Sequence, residues 1–183
     1  VSSTIYTATF TPTADSTING VISVAGSKFS NSSGNTNDDG ADANNSVTFT
    51  VDTVRPTIAV NSDVSSLKAG ETAALTFTLS EACTDFVESD VTASGGSLSN
   101  WIAVSSTVYT ATFTPTADST TDGVISVASS KFSDAAGNTN NDGADANNSV
   151  TFTIDTVRPT IAVTSDVSSL KAGETAALTF TLS

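Results

Sequence analysis

The sequence predicts an all-β chain made of sandwich-type units in tandem, and three observations lead there. Serine and threonine supply 61 of the 183 residues (29 Ser, 32 Thr). Thr loses rotamer freedom in a helix and Ser competes for backbone hydrogen bonds, so this composition disfavours helix bundles. Thr and Val suit pleated, half-buried surfaces instead. Short runs alternate apolar and polar residues with a period of two, the pattern of half-buried strands. The chain also repeats itself with a period of 103 residues, as modular arrays do.

The strands follow in order along one unit. Pro56 stiffens the entry to a strand carrying Ile58 and Val60. Leu75, Phe77 and Leu79 face one way, and Thr76 and Thr78 the other. Middle strands are expected near Val91 and Trp101, with Trp101 plugging the core. Tyr109, Ala111 and Phe113 alternate with Thr110 and Thr112. A turn at Asp122-Gly123 leads to Ile125 and Val127, and Val150, Phe152 and Ile154 alternate with Thr151 and Thr153. About seven strands in about 100 residues predict an immunoglobulin-like β-sandwich, with a core that stabilises it without a disulfide.

The repeat sets the domain organisation. Residues 1–51 return at 104–154 with 42 of 51 positions identical, and residues 52–80 return at 155–183 with one change, Asn61 against Thr164. The expected units are the C-terminal half of a preceding repeat (1–51), a complete repeat (52–154) and the N-terminal part of the next (155–183). The two flanks together lack a counterpart of residues 81–103, so neither closes a core alone. The expectation is a window on a longer tandem array; the alternative is that flanks of neighbouring chains complete one another.

Charge and composition remove several functions. With 19 acidic and 6 basic residues, the net charge of −13 argues against binding nucleic acid or an anionic membrane through a basic patch. The absence of His removes His-based triads and His-ligated zinc. One Cys, Cys83, cannot form a disulfide within the chain; it is expected to be a buried, inert thiol, with an intermolecular disulfide as the alternative. No apolar run approaches the roughly 20 residues of a membrane span, so no membrane insertion of this segment is expected.

Taken together, DTVRPTIAV, LKAGETAALTFTLSEA, YTATFTPTADS and KFSDAAGNTNNDG resemble the bacterial Ig-like repeats of very long surface proteins, including the extender regions of RTX-type adhesins. The resemblance covers the full unit and both flanks; Cys83 and the long Asn/Asp-rich loop depart from it. It implies tandem extracellular spacer domains, often stabilised by calcium, and no catalysis.

Oxygen donors gather in three places. The loop 134–148, DAAGNTNNDGADANN, offers Asp134, Asn138, Asp142 and Asp145, with Gly137 and Gly143 for tight turns. Calcium takes six to eight such oxygens, although the spacing is not that of an EF-hand. The other reading is a turn-rich loop whose Asn and Asp residues serve the backbone alone. The unit junctions carry Asp52 and Asp155 immediately before TVRPT, where an ion shared with Glu81, Asp85 or the acidic loop would turn a hinge into a rigid joint. The competing reading there is a weak Asp155–Arg158 pair worth about 0–1 kcal/mol if exposed. Glu81, Asp85, Glu88 and Asp90 form a third acidic group, expected to be solvated strand-end charge before a calcium site or a catalytic pair. Lys68 and Lys171 in KAGE turns, and Lys28 and Lys131 in KFS segments, give little reason to expect an isopeptide bond. Sequons at Asn31, Asn44 and Asn147 permit glycosylation without indicating it.

The expected function is a spacer: calcium-stiffened units in series that form a rod outside the cell or on its surface, with neighbouring repeats of the same protein as partners. The alternatives are an adhesion module binding a glycan or surface through outward Thr rows, and a subunit of a homopolymeric extracellular filament. An enzyme is not expected.

Overall fold

The computed structural model describes residues 4–183. In chain order the strands are β1 (Gly20–Ser23), β2 (Ser46–Phe49), β3 (Ile58–Ser62), β4 (Ser66–Lys68), β5 (Ala73–Leu79), β6 (Val91–Ser94), β7 (Gly96–Ala103), β8 (Val108–Pro115), β9 (Gly123–Val127), β10 (Ser149–Asp155), β11 (Ile161–Ser165) and β12 (Leu178–Leu182). The helical content among the described residues is three single 3-10 turns, at Ala43–Asn45, Glu88–Asp90 and Ala146–Asn148. The chain is all-β and its complete unit is an Ig-like sandwich.

Strands β3 to β10 build that unit from two four-stranded sheets, ordered β3-β5-β8-β7 and β4-β10-β9-β6. Every pairing is antiparallel except β4 with β10, which run parallel with Thr153 opposite Ser66 and Asp155 opposite Lys68. The alternation read from the sequence lands on the expected faces. Leu75, Phe77 and Leu79 of β5, Tyr109, Ala111 and Phe113 of β8, Ile125 and Val127 of β9, and Phe152 and Ile154 of β10 are all buried. The unit has eight strands where about seven were expected. The extra one is β4, whose three residues are too few to alternate visibly and bury only Leu67.

Two aromatic groups fill the core. Phe113 stacks on Phe152 across the sheets, with ring centroids 5.0 Å apart. In the second, Phe86 meets Phe77, Trp101, Tyr109 and Phe132 at 5.1–5.9 Å, each edge to face, the arrangement the ring quadrupoles favour. Trp101 is only partly buried and packs on this core from β7. The pairing of β7 with β8 shifts register between Ser99 and Ile102. Asn100 takes up the irregularity with a φ of 52°, a region Asn tolerates better than most residues.

The flanks form only two-stranded pieces: β1 with β2, and β11 with β12. Their apolar residues, among them Tyr6, Phe10, Phe29, Phe49, Ile161, Leu178 and Phe180, are exposed.

The junction between residues 51 and 58 is tied on both sides. Backwards, Thr53 donates its N–H to the Ser16 carbonyl (3.0 Å) and its hydroxyl to the Thr13 carbonyl (2.7 Å), and accepts the Ser16 N–H (3.0 Å). Forwards, Pro56 is buried against the unit and Arg55 donates to the Thr139 carbonyl at 3.0 Å. Thr156 repeats the backward clasp on Thr116 and Ser119.

Candidate metal centre

The site lies where the junction, the end of β5 and the loop after β9 meet. Beyond Leu79 the chain is fixed by Ser80, whose N–H reaches the Thr57 carbonyl (2.9 Å) and whose hydroxyl accepts the Thr57 N–H (2.9 Å). Glu81 follows directly. Cys83 then forms a single antiparallel bridge with Asp134 and donates its N–H to the Ser106 carbonyl. Asp52 arrives from the junction, its side chain accepting the Val54 N–H at 3.2 Å in an Asx turn.

These elements bring carboxylate oxygens of Asp52, Glu81 and Asp134 within 4.8 Å of one another. Glu81 Oε1 is buried and has no hydrogen-bond partner. Burial, and then the charges of Asp52 and Asp134, push the Glu81 carboxyl above its ordinary range. Asp134 behaves oppositely. Burial opposes its ionisation, but hydrogen bonds from the Asn138 side chain (2.8 Å) and the N–H groups of Asn138 (2.9 Å) and Ala136 (2.8 Å) outweigh burial and hold it below the usual value. Asn138 also donates to the Asp52 carbonyl at 3.2 Å, so it braces two of the three acids. Among the described residues no Lys or Arg is ion-paired with them; the salt bridge present joins Lys68 and Glu71 elsewhere.

Three acids held this close, one of them desolvated, call for a proton or a cation. The donor set fits calcium. Oxygens around one calcium at 2.3–2.6 Å stand at most about 5 Å apart, and hard carboxylates are its preferred ligands. Zinc in proteins favours His and Cys, and this chain has no His.

The other residues singled out from the sequence lie elsewhere. Asp85 is exposed and accepts from the N–H and hydroxyl of Ser133, which lower its pKa against the effect of burial. Asp142 is buried and engaged: Oδ2 accepts the Ile58 N–H at 2.6 Å and Oδ1 accepts Asn140 Nδ2 at 3.1 Å, fastening the acidic loop to β3. Asp145 stands exposed before the 3-10 turn and its side chain caps nothing. Asp155 is exposed, accepting only the Val157 N–H of its own Asx turn. Cys83 is buried, its thiol pushed up to about 11 by burial first and then by Asp85, Asp134 and Glu81, so it is a poor nucleophile.

Sequence reasoning missed the two Asn residues that shape the acidic loop. Asn140 accepts the N–H groups of Lys131 (2.7 Å) and Phe132 (3.3 Å) and donates to the Ala128 carbonyl (3.0 Å), and Asn148 donates to the Asp142 carbonyl (2.7 Å). Both are buried. Their retention as Asn37 and Asn45 in the other copy, beside positions 31–33 where the copies differ, was the available signal.

Among the described residues no helix is long and apolar enough to cross a membrane. No curated protein and no solved structure matches the chain. A family model described as bacterial Ig-like domain matches residues 1–51 and again 52–154. Such domains are typically structural, non-enzymatic modules and are common in surface proteins. With its sandwich, its matching segments and its repeated sequence, the chain belongs to the bacterial Ig-like domain family.

Proposed function

We propose that this chain is a spacer segment of an extracellular or cell-surface protein, its units held in line by calcium at the junctions. The observation that carries the reading is the pair Asp52-Thr53. Thr53 clasps the preceding segment through Thr13 and Ser16, while its neighbour Asp52 faces Glu81 and Asp134 of the following unit. A divalent ion among those three carboxylates would bind the junction to the unit, leaving little freedom between the two clasps. Asn138 would orient the set through its bonds to the Asp52 carbonyl and the Asp134 carboxylate. The ion would also offset part of the net charge of −13, which opposes compactness.

Calorimetric titration and thermal unfolding of the chain with calcium or with chelator test this. Binding of one calcium is expected at Asp52, Glu81 and Asp134, the acids whose oxygens converge within 4.8 Å. At a hundredfold excess over Kd the complete unit should gain about 2.7 kcal/mol. Asp52→Asn should weaken binding and leave the calcium-free fold intact. If chelation changes neither the melting temperature nor the solution dimensions, the calcium-stiffened spacer is wrong.

A further inference from the structure

Three Asn-x-Ser sequences look alike in the sequence, and the structure separates them. Asn31 is occupied: its Oδ1 accepts the N–H groups of Ser33 and Asn35, both at 3.0 Å, and closes an Asx turn. The other copy has Asp134 at this place, with the same two bonds from Ala136 and Asn138, so the turn recurs and the sequon does not. Asn44 and Asn147 are one position in two copies, within DGADANNS at 39–46 and 142–149. Both are exposed, and neither side chain has a hydrogen-bond partner among the described residues.

The complete unit shows which polar residues of that segment the fold uses. Asp142 Oδ2 holds the Ile58 N–H at 2.6 Å. A Cβ on Gly143 would stand 2.1 Å from the Ser129 nitrogen, so no side chain fits there. Asn148 is buried and donates to the Asp142 carbonyl at 2.7 Å. Asp145, Asn147 and Ser149 remain, exposed and with side chains that hold nothing in place. Their counterparts Asp42, Asn44 and Ser46 are exposed as well. The backbone presents the three in one conformation at both places: extended at the acid (φ −75°, ψ 145° at Asp145; φ −74°, ψ 144° at Asp42), a single 3-10 turn carrying the Asn, then extended again at the Ser (φ −145°, ψ 152° at Ser149; φ −137°, ψ 142° at Ser46). A hydroxyl two residues after an exposed Asn amide makes the minimal acceptor for an N-linked sugar. A carboxylate two residues before it adds a charge for a transferase to grip, which completes the extended acceptor Asp-x-Asn-x-Ser.

We infer that Asn147 and Asn44 are acceptors for an N-linked oligosaccharide delivered from a polyisoprenyl diphosphate carrier. Asn Nδ2 attacks the anomeric carbon of the activated sugar. The new bond joins that nitrogen to the carbon as the carbon–oxygen bond to the diphosphate breaks. The amide gives one proton to a base of the transferase, and the lipid diphosphate leaves. Asn31 is not an acceptor, because Phe29 stands where the acid is needed and the side-chain carbonyl is tied into its turn. The two acceptors are 103 residues apart, so the repeat spaces the sugars. Asp145, which the metal centre does not use, thereby gains a role. The inference draws on the extracellular placement proposed above, where such transferases work, and not on calcium at the junction.

The test incubates the purified, folded chain with a bacterial oligosaccharyltransferase in detergent and a lipid-diphosphate-linked oligosaccharide, and reads intact mass and peptide maps. Neither export nor calcium enters this reaction, so its failure bears on the acceptors and leaves the extracellular placement standing. The expected product carries two glycans, at Asn44 and Asn147. Asn44→Gln and Asn147→Gln should each lose one mass increment and the double variant both, while Asn31→Gln changes nothing. Asp145→Ala and Ser149→Ala should each lose the glycan at Asn147 and keep that at Asn44, which serves as the internal control. Trp101 fluorescence, remote in sequence from every substitution, reports that the complete unit is folded. A folded chain left unmodified beside a modified control peptide, a glycan at Asn31, or a glycan at Asn147 that survives Asp145→Ala would each overturn the inference.

Discussion

Residues 6–15 and 109–118 are the same ten residues, YTATFTPTAD, in two surroundings. In the complete unit they run through β8, flanked by β5 and β7, with Tyr109 4% and Phe113 0% exposed. In the N-terminal flank no strand forms over residues 6–15, and Tyr6 is 81% and Phe10 39% exposed. Local propensity is identical, so the difference belongs to the partners: a strand needs ladders on its edges and a covered face before its backbone settles. The acidic loop teaches the converse. The Asn37 and Asn140 networks match contact for contact although one lies beside an incomplete core, so that loop is shaped by its own hydrogen bonds.

The comparison can be broken most sharply at Phe77 and Phe180, identical positions of 0% and 57% exposure. Phe77→Ala should destabilise the unit by about 3–5 kcal/mol in chemical denaturation, because it leaves a cavity among Phe86 and Trp101. Phe180→Ala should change the same transition by no more than about 0.5 kcal/mol. An equal loss from both would mean that the flank is packed as the unit is.

The loops come next. Asn140→Ala removes partners from Lys131, Phe132 and Ala128 at a buried site and should cost about 1–3 kcal/mol. Asn37→Ala should leave the unfolding of the complete unit where it is, while amide exchange at Lys28 and Phe29 quickens. Protection at those two amides that survives the substitution would show that the loop is held from outside.

The smallest effect concerns the three acids and sharpens the contrast between Asp52 and Asp155. The Glu81 carboxyl is raised above 4.5, so between that value and its folded pKa the folded chain binds more protons than the unfolded one. In calcium-free solution its contribution therefore worsens as pH rises through the folded pKa and is relieved on acidification. Asp85 and Asp134 are lowered from 3.8 and act in the opposite sense: their stabilisation is present above 3.8 and is lost as pH falls through their folded values. Glu81→Gln should therefore melt higher than the parent at neutral pH without calcium, and the gap should close toward acid pH. The same variant should lose the response to calcium, whereas Asp155→Asn should keep it. A gap that is constant with pH would remove the charge explanation.

Period-two alternation made the sheets legible, since Leu75–Leu79, Tyr109–Phe113 and Val150–Ile154 each present one apolar face. Strand β4 escaped because three residues cannot alternate visibly, and the β7 irregularity because nothing in SLSNWIA marks Asn100 as its pivot. At the site, the sequence offered acids by type and could not say which would converge. Asp52, Glu81 and Asp134 lie far apart in the chain and meet only because Ser80 is bonded to Thr57 and Cys83 is bridged to Asp134. Asp142 looked the same in composition, but it is occupied by a main-chain amide that only the fold could bring to it.

The parallel pairing of β4 with β10 has a mechanical meaning. The chain enters the unit just before β3 and β4 and leaves it at the end of β10, so traction on the two ends would slide β4 and β10 past each other along their length. Bonds such as Thr153 N–H to the Ser65 carbonyl would then bear the load side by side and yield together, rather than open one after another like a zip. A bead joined in this way resists stretching best along the axis on which a tether would be pulled.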